Sequence, residues 1–182
     1  MNPAFIFHEL KNFSAEKTAQ GLFLVLLKAD RIPPHLGLLI ESRWFTLDVR
    51  GATGDADAQA LLQAIERKKI ASVFVHLAWP RGLSAEQGRA RAKEIFEAYP
   101  ALGKNEDTCY SPIRDFISAI YGEAFQRTNF VFELLKLLQD NNLLIENFGA
   151  HLPAGEFSLL AYGMSEVRAS IAAALETGAA PR

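Results

Sequence analysis

Pro33-Pro34-His35-Leu36-Gly37-Leu38-Leu39-Ile40 is the stretch on which the fold turns. The two prolines fix φ and remove backbone donors, so a helix is blocked and the chain enters extended. Leu36 to Ile40 then reads as a strand. Glu41-Ser42-Arg43 is a polar turn, and Trp44-Phe45-Thr46-Leu47-Asp48-Val49 is the next strand, ending at Arg50-Gly51. Two such runs so close together predict a β-hairpin. With Glu41-Ser42 as the turn, Ile40 pairs with Arg43 and His35 falls opposite Asp48, on the same face, with Cβ atoms about 5 Å apart. A turn at Ser42-Arg43 leaves the two as diagonal neighbours, and a one-residue slip separates them.

Outward from the hairpin, Leu22-Phe-Leu-Val-Leu-Leu27 is a continuous apolar run that reads as a buried strand. Residues 1–20 are less legible: Ser14-Ala15-Glu16-Lys17 resembles a capped turn, with Phe5, Phe7 and Phe13 docking on the core. Gly51-Ala-Thr-Gly54-Asp55 reads as a loop. A helix over about 56–69 carries Ala58, Leu61, Leu62 and Ile65 and ends in Arg67-Lys68-Lys69, which suits the negative end of a helix dipole. Ala71-Ser-Val-Phe-Val-His-Leu77 is a fourth strand, stopped by Pro80. Ser84 and Gln87 form a capping-box pattern. The helix it opens has Ala92, Ile95, Phe96 and Tyr99 on one face and ends before Pro100. Further on, helical spacing marks Ile113, Phe116, Ile117 and Ile120, then a helix over about 128–140. Leu143–Ile145 and Phe157–Tyr162 read as short strands. A last helix follows Ser165, before the tail Gly178–Arg182. The sum is α+β: a small, mostly antiparallel sheet with packed helices, in a single domain over 1–182. Its core spans about 22–121, with a C-terminal helical part over about 125–178.

Composition narrows the function classes. The 182 residues are 49% apolar, enough for a substantial core, and carry a net charge of −2 with mixed signs. That balance argues against a nucleic-acid partner or a polybasic membrane surface. No apolar run approaches the roughly 20 residues of a membrane span. The N-terminus has neither a basic head nor a signal-type apolar segment, and a single cysteine cannot form an internal disulfide, so a cytoplasmic location is expected. Scattered histidines without His-x-x-x-His or Cys-x-x-Cys spacing predict no metal, and no cofactor motif is present.

The only cysteine, Cys109, lies 74 positions after His35, in Asp107-Thr108-Cys109-Tyr110-Ser111-Pro112. A nucleophilic cysteine must become a thiolate, and a helix N-terminus or an adjacent imidazolium favours that. Either Thr108 caps the following helix, or Ser111 does and Pro112 takes its favoured first position; the second is preferred. A histidine opening a strand and a cysteine opening a helix are two halves of a thiol site. Asp48 is the third candidate, accepting from the imidazole and holding its tautomer. His76, at the end of the fourth strand, is the rival base, and otherwise a core histidine. His8 and His151 read as surface or loop residues. Cys109 as a small buried hydrophobe is the competing reading.

This order of parts resembles the circularly permuted papain-like hydrolases, which include NlpC-like amidases and lecithin–retinol acyltransferase-like enzymes. The resemblance rests on His35-Leu36-Gly37-Leu38 and Thr108-Cys109, with Asp48 as the weakest match, and covers about residues 22–121. Two departures stand out: Thr precedes the cysteine where Asn is common, and Pro112 occupies the turn that often carries an aromatic. The resemblance implies a thiol hydrolase or acyltransferase acting on an amide or ester through an acyl-enzyme, with a peptide, lipid-acyl or small-molecule substrate. The alternative is a non-catalytic binding or interaction domain that keeps the fold.

Overall fold

Leu22-Phe-Leu-Val-Leu-Leu27 has no polar residue for either face, and it lies where such a run must lie, inside a sheet with both faces covered. The computed structural model describes residues 3–103 and 107–177. The tail Gly178–Arg182, expected to fray, and positions 104–106 of the loop before Cys109 lie outside the described residues. In chain order the elements are β1 (Pro3–Asn12), β2 (Leu22–Leu27), β3 (His35–Ile40), β4 (Arg43–Asp48), β5 (Gly51–Asp57), α1 (Gln59–Lys68), β6 (Ser72–Leu77), α2 (Ala85–Glu97), α3 (Ser111–Tyr121), α4 (Val131–Asp140), β7 (Leu144–Ala150), β8 (Gly155–Leu160) and α5 (Met164–Thr177). The strands form one sheet in the order β5-β4-β3-β2-β6-β7-β1-β8. Every pairing is antiparallel except β1 with β7. The fold is therefore α+β with a mostly antiparallel sheet, larger than the small one expected.

The decisive hairpin has the expected register. Ile40 pairs with Arg43, Leu39 with Trp44, Leu38 with Phe45 and Gly37 with Thr46. Glu41 and Ser42 both take positive φ, 46° and 63°, as the tight turn that matches strand twist requires. Period-two alternation then sorts the side chains. Leu36, Leu38, Ile40 and Phe45 face the helices α2, α3 and α4, meeting Phe96, Ile113, Phe116 and Leu134. Leu39 and Trp44 face the other way with Phe23, Val25 and Leu27, covered by Ile65 of α1. Each fully buried Leu or Phe contributes about 1.5–3 kcal/mol, so this double core outweighs any single polar contact in fixing the hairpin.

Two expectations are corrected, and residues 1–20 become legible. Gly51–Asp57 is a strand, not a loop; it is the edge strand, with a bulge in its pairing to β4 and Arg43 Nε donating to Asp55 Oδ1 at 2.9 Å. An edge strand, with one side unpaired, accommodates several glycines and a bulge readily. α1 accordingly begins at Gln59 rather than 56. Residues 3–12 form β1, with Phe5, Phe7 and Leu10 buried. The capping box at Ser84 is present in full, its hydroxyl accepting from the Gln87 amide and the Gln87 side chain from the Ser84 amide.

Gly37 has a packing reason. A Cβ there would sit 2.1 Å from the Trp44 ring, which lies across the glycine. Gly37→Ala should therefore lower stability by about 2 kcal/mol or more in urea unfolding, and pairing it with Trp44→Leu should recover part of the loss. An unchanged midpoint would show that the indole is free to move.

Candidate functional site

Pro33-Pro34 delivers His35 at the first position of β3, paired with Leu27 of β2 and two residues beyond Gly37, the last residue paired with β4. His35 shares its parity with Gly37 and Leu39, so its ring leaves on the α1 side. There its Nε2 lies 2.9 Å from Thr46 Oγ1. The same hydroxyl lies 2.9 Å from the Leu36 carbonyl, which can only accept. The single hydroxyl proton is spent on that carbonyl, so His35 Nε2 must be the donor to Thr46. The network thus assigns the Nε2–H tautomer and leaves Nδ1 as a bare lone pair. Nδ1 is buried and has no hydrogen-bond partner.

Asp48 stands on the same face, as the register requires, but its carboxylate turns to its neighbour. It accepts from the Arg50 amide at 2.7 Å and from Arg50 Nη2 at 2.9 Å. Burial would raise its pKa, but the Arg50 hydrogen bonds and charge outweigh that and hold it below the ordinary value. Asp48 acts on His35 only through its charge; Thr46 makes the hydrogen bond that a third site member was expected to make.

Cys109 precedes α3 by a tight turn. Thr108 N–H donates to Ser111 Oγ at 3.1 Å, and Tyr110 N–H to Thr108 Oγ1 at 3.2 Å. Tyr110 caps the helix and Pro112 follows in its first turn, so Cys109 lies just outside the helix, one residue from the arrangement that makes Ser111 the cap. It packs against the helical core, on the face opposite the His35 ring. The two meet around the end of β3. Both line a cavity of about 30 Å³ with Pro33, Pro34 and Leu102. The Leu36 and Cys109 backbone amides act on the sulfur in the direction that favours its thiolate. Since His35 Nδ1 has no partner, no hydrogen bond joins it to the thiol.

The roof of this cavity is α5. Val167, Ser170, Ile171 and Ala174 line it at spacings of three and four, one stripe of one helix. The rest of α5 is largely exposed, Leu175 being 54% accessible. Enclosure has an electrostatic consequence. Burial pushes the Cys109 thiol up to about 11, against the pull of the two amides. Burial likewise drives the His35 imidazole down to about 4, the Asp48 charge opposing and the Lys28 charge assisting. Proton and thiol stay together at neutral pH, and the closed site is uncharged. Tyr162 packs on Phe130 and Phe132 near enough to feel Cys109: burial first, then any charge on Cys109, pushes its phenol up.

His76 is elsewhere. Ser72 is level with His35 across β2, which puts His76 four residues, about 13 Å, further along the sheet. It stacks on Phe23 at 4.5 Å and lies 3.8 Å from Glu146, as a core histidine does. His8 and His151 pair with Glu156 and Glu66. Among the described residues no three His, Cys, Asp or Glu side chains gather as a metal site, and no helix is long and apolar enough to cross a membrane. Thr46, Tyr162 and the α5 stripe were missed from sequence. Only Thr46 carried a signal, as the polar residue on His35's face two positions before Asp48. Comparison with family models, with curated proteins and with solved structures finds no match.

A histidine that stays neutral in the fold but protonates near 6.5 when unfolded makes stability pH-dependent. Below pH 6.5 the unfolded chain binds a proton that folded His35 refuses, so stability falls as pH drops toward 4 and is unaffected above 6.5. The upper bound is about 3 kcal/mol. His76, also lowered chiefly by burial, adds in the same direction. His35→Gln should shrink the loss between pH 7 and 4.5 in urea unfolding by roughly 2–3 kcal/mol; an unchanged slope would mean that His35 protonates freely in the fold.

Proposed function

We propose that the chain is a thiol hydrolase or acyltransferase of the permuted papain-like kind, held at rest in a closed form by α5. One observation carries the reading: the only cysteine and His35, 74 positions apart, line one cavity. His35 Nδ1 is buried without a partner, as are His76 Nδ1 and Asn147 Oδ1, but neither of those residues lines the cysteine's cavity. Next to a thiol the His35 Nδ1 lone pair has a use, to take the sulfur proton. Thr46 would hold the imidazole, the part first considered for Asp48, and Asp48 would favour its charged form.

In the open form, Cys109 gives its proton to His35 Nδ1 and the sulfur attacks the substrate carbonyl carbon. The tetrahedral adduct collapses, its leaving group taking the proton from Nδ1, and leaves a thioester on Cys109. Water or an acceptor alcohol or amine, deprotonated by the same nitrogen, then releases the acyl group. A cavity of about 30 Å³ has room for little more than a water, so the substrate enters only when α5 moves. The order of parts, a histidine hairpin before a cysteine at a helix start, supports the family reading.

A second reading is a non-catalytic binding domain. It is favoured by the neutral thiol and imidazole, which form no ion pair.

Iodoacetamide labelling separates the two. Wild-type Cys109 should react slowly at pH 7. Val167→Asp/Ile171→Asp, which puts carboxylates into the α5 stripe, should speed labelling at least about tenfold while near-ultraviolet circular dichroism stays native. Adding His35→Ala to that variant should slow it again, and Thr46→Val should do so in part. Labelling in the opened protein that is indifferent to His35 would discard the catalytic reading and leave the binding domain.

A further inference from the structure

On the other face of the hairpin, between β3–β5 and the end of α1, lies a cleft of about 970 Å³, a volume typical of small-molecule sites. Its floor is apolar and aromatic: Leu27, Trp44, Leu61 and Ile70. Its rim is cationic. Lys28, Arg31, Arg50, Lys68 and Lys69 line it against two carboxylates, Asp30 and Asp48, on a chain whose net charge is −2. The dipole of α1 accounts for Lys68 and Lys69. It does not account for Lys28 and Arg31, which come from the β2–β3 connection, or for Arg50, which follows β4.

Two features make this convergence more than a solvated surface. Lys28 takes a left-handed backbone, φ 54°, a conformation that disfavours a long side chain. Its ammonium is partly buried, and burial first, then the charges of Arg31 and Lys68, lowers it to about 8. Asp48, the carboxylate inside the cleft, is already taken by Arg50, which keeps the remaining donors of a largely exposed guanidinium. Residues that the surrounding structure holds in such a backbone conformation cluster at active sites and ligand clamps.

We infer that this cleft binds a phosphate-bearing organic anion, its phosphate among Lys28, Arg50 and Lys68 and its body against Trp44 and Leu61. Point-charge lysines together with a guanidinium fork are the donors phosphate recognition uses. The inference rests on the cleft alone and stands whether or not Cys109 is a nucleophile.

The two tryptophans provide the readout. Trp44 lines the cleft, whereas Trp79 packs over Gly88 elsewhere. In ¹⁵N-labelled protein at low salt, inorganic pyrophosphate and ADP should shift the Trp44 indole resonance saturably and leave that of Trp79 in place. Lys28→Gln/Lys68→Gln should weaken binding at least about tenfold, and raised salt should weaken it further. ADP binding tighter than pyrophosphate would support contact between the organic body and the floor. Sedimentation with vesicles of phosphatidylcholine and phosphatidic acid, lost in the double variant, would support the same chemistry with a lipid headgroup as its source. No response of Trp44 up to about 10 mM of either soluble probe together with no sedimentation, or equal binding by the double variant, would overturn the inference.

Discussion

The Thr46 hydroxyl, bonded at once to the Leu36 carbonyl and to His35 Nε2, is the contact on which the architecture around the site depends. The β3–β4 ladder stops at Gly37 and Thr46, so the first residues of β3 have no backbone partner on that side. A threonine side chain takes the place of the missing ladder bond. In doing so it fixes the tautomer of the histidine. One hydroxyl therefore closes a sheet end and holds an imidazole. A valine of the same shape would keep the packing and lose both.

Because side chains alternate along a strand, the end of β3 belongs to both faces. Leu36 points toward α3 and the cysteine, while His35 points toward α1 and the cationic cleft. His35 lines both cavities, the small one under α5 and the large one beneath Lys28. The charges of Asp48 and Lys28 reach it from the cleft side, one favouring imidazolium and the other opposing it.

The hairpin, its register and its turn were legible in the sequence because local rules set them: prolines at the entry, an apolar run, two polar residues, another run. The capping box of α2 was legible for the same reason. β1 was not, although Phe5 and Phe7 alternate with exposed positions, since its partners β7 and β8 lie at the far end of the chain and no turn announces them. β5 was hidden by Gly51, Gly54 and Asp55, which read as loop and are tolerated because the strand is an edge. At the site, His35 and Cys109 were singled out and line one cavity without a hydrogen bond between them, while Asp48, expected to hold the imidazole, bonds Arg50 instead. Opposition across a register says that two groups share a face. It does not say which neighbour a carboxylate will choose, and an adjacent arginine with its own amide is a nearer partner than a ring across the strand.

The final helix of the chain decides what the site is at rest. A thiol near a helix start and two amides would ordinarily be acidified. Here burial outweighs both, and Val167, Ile171 and Ala174 of α5 line the cavity that the sulfur shares. The stripe is narrow and composed of small or branched residues, while the rest of the helix faces solvent. A narrow apolar stripe is a weaker attachment than the double core that holds β2 and β3. Local opening draws on such weakly held elements first. On the proposed reading, the thiol's reactivity would therefore be set less by Cys109 and His35, whose positions the sheet fixes, than by how readily this lightly held helix opens.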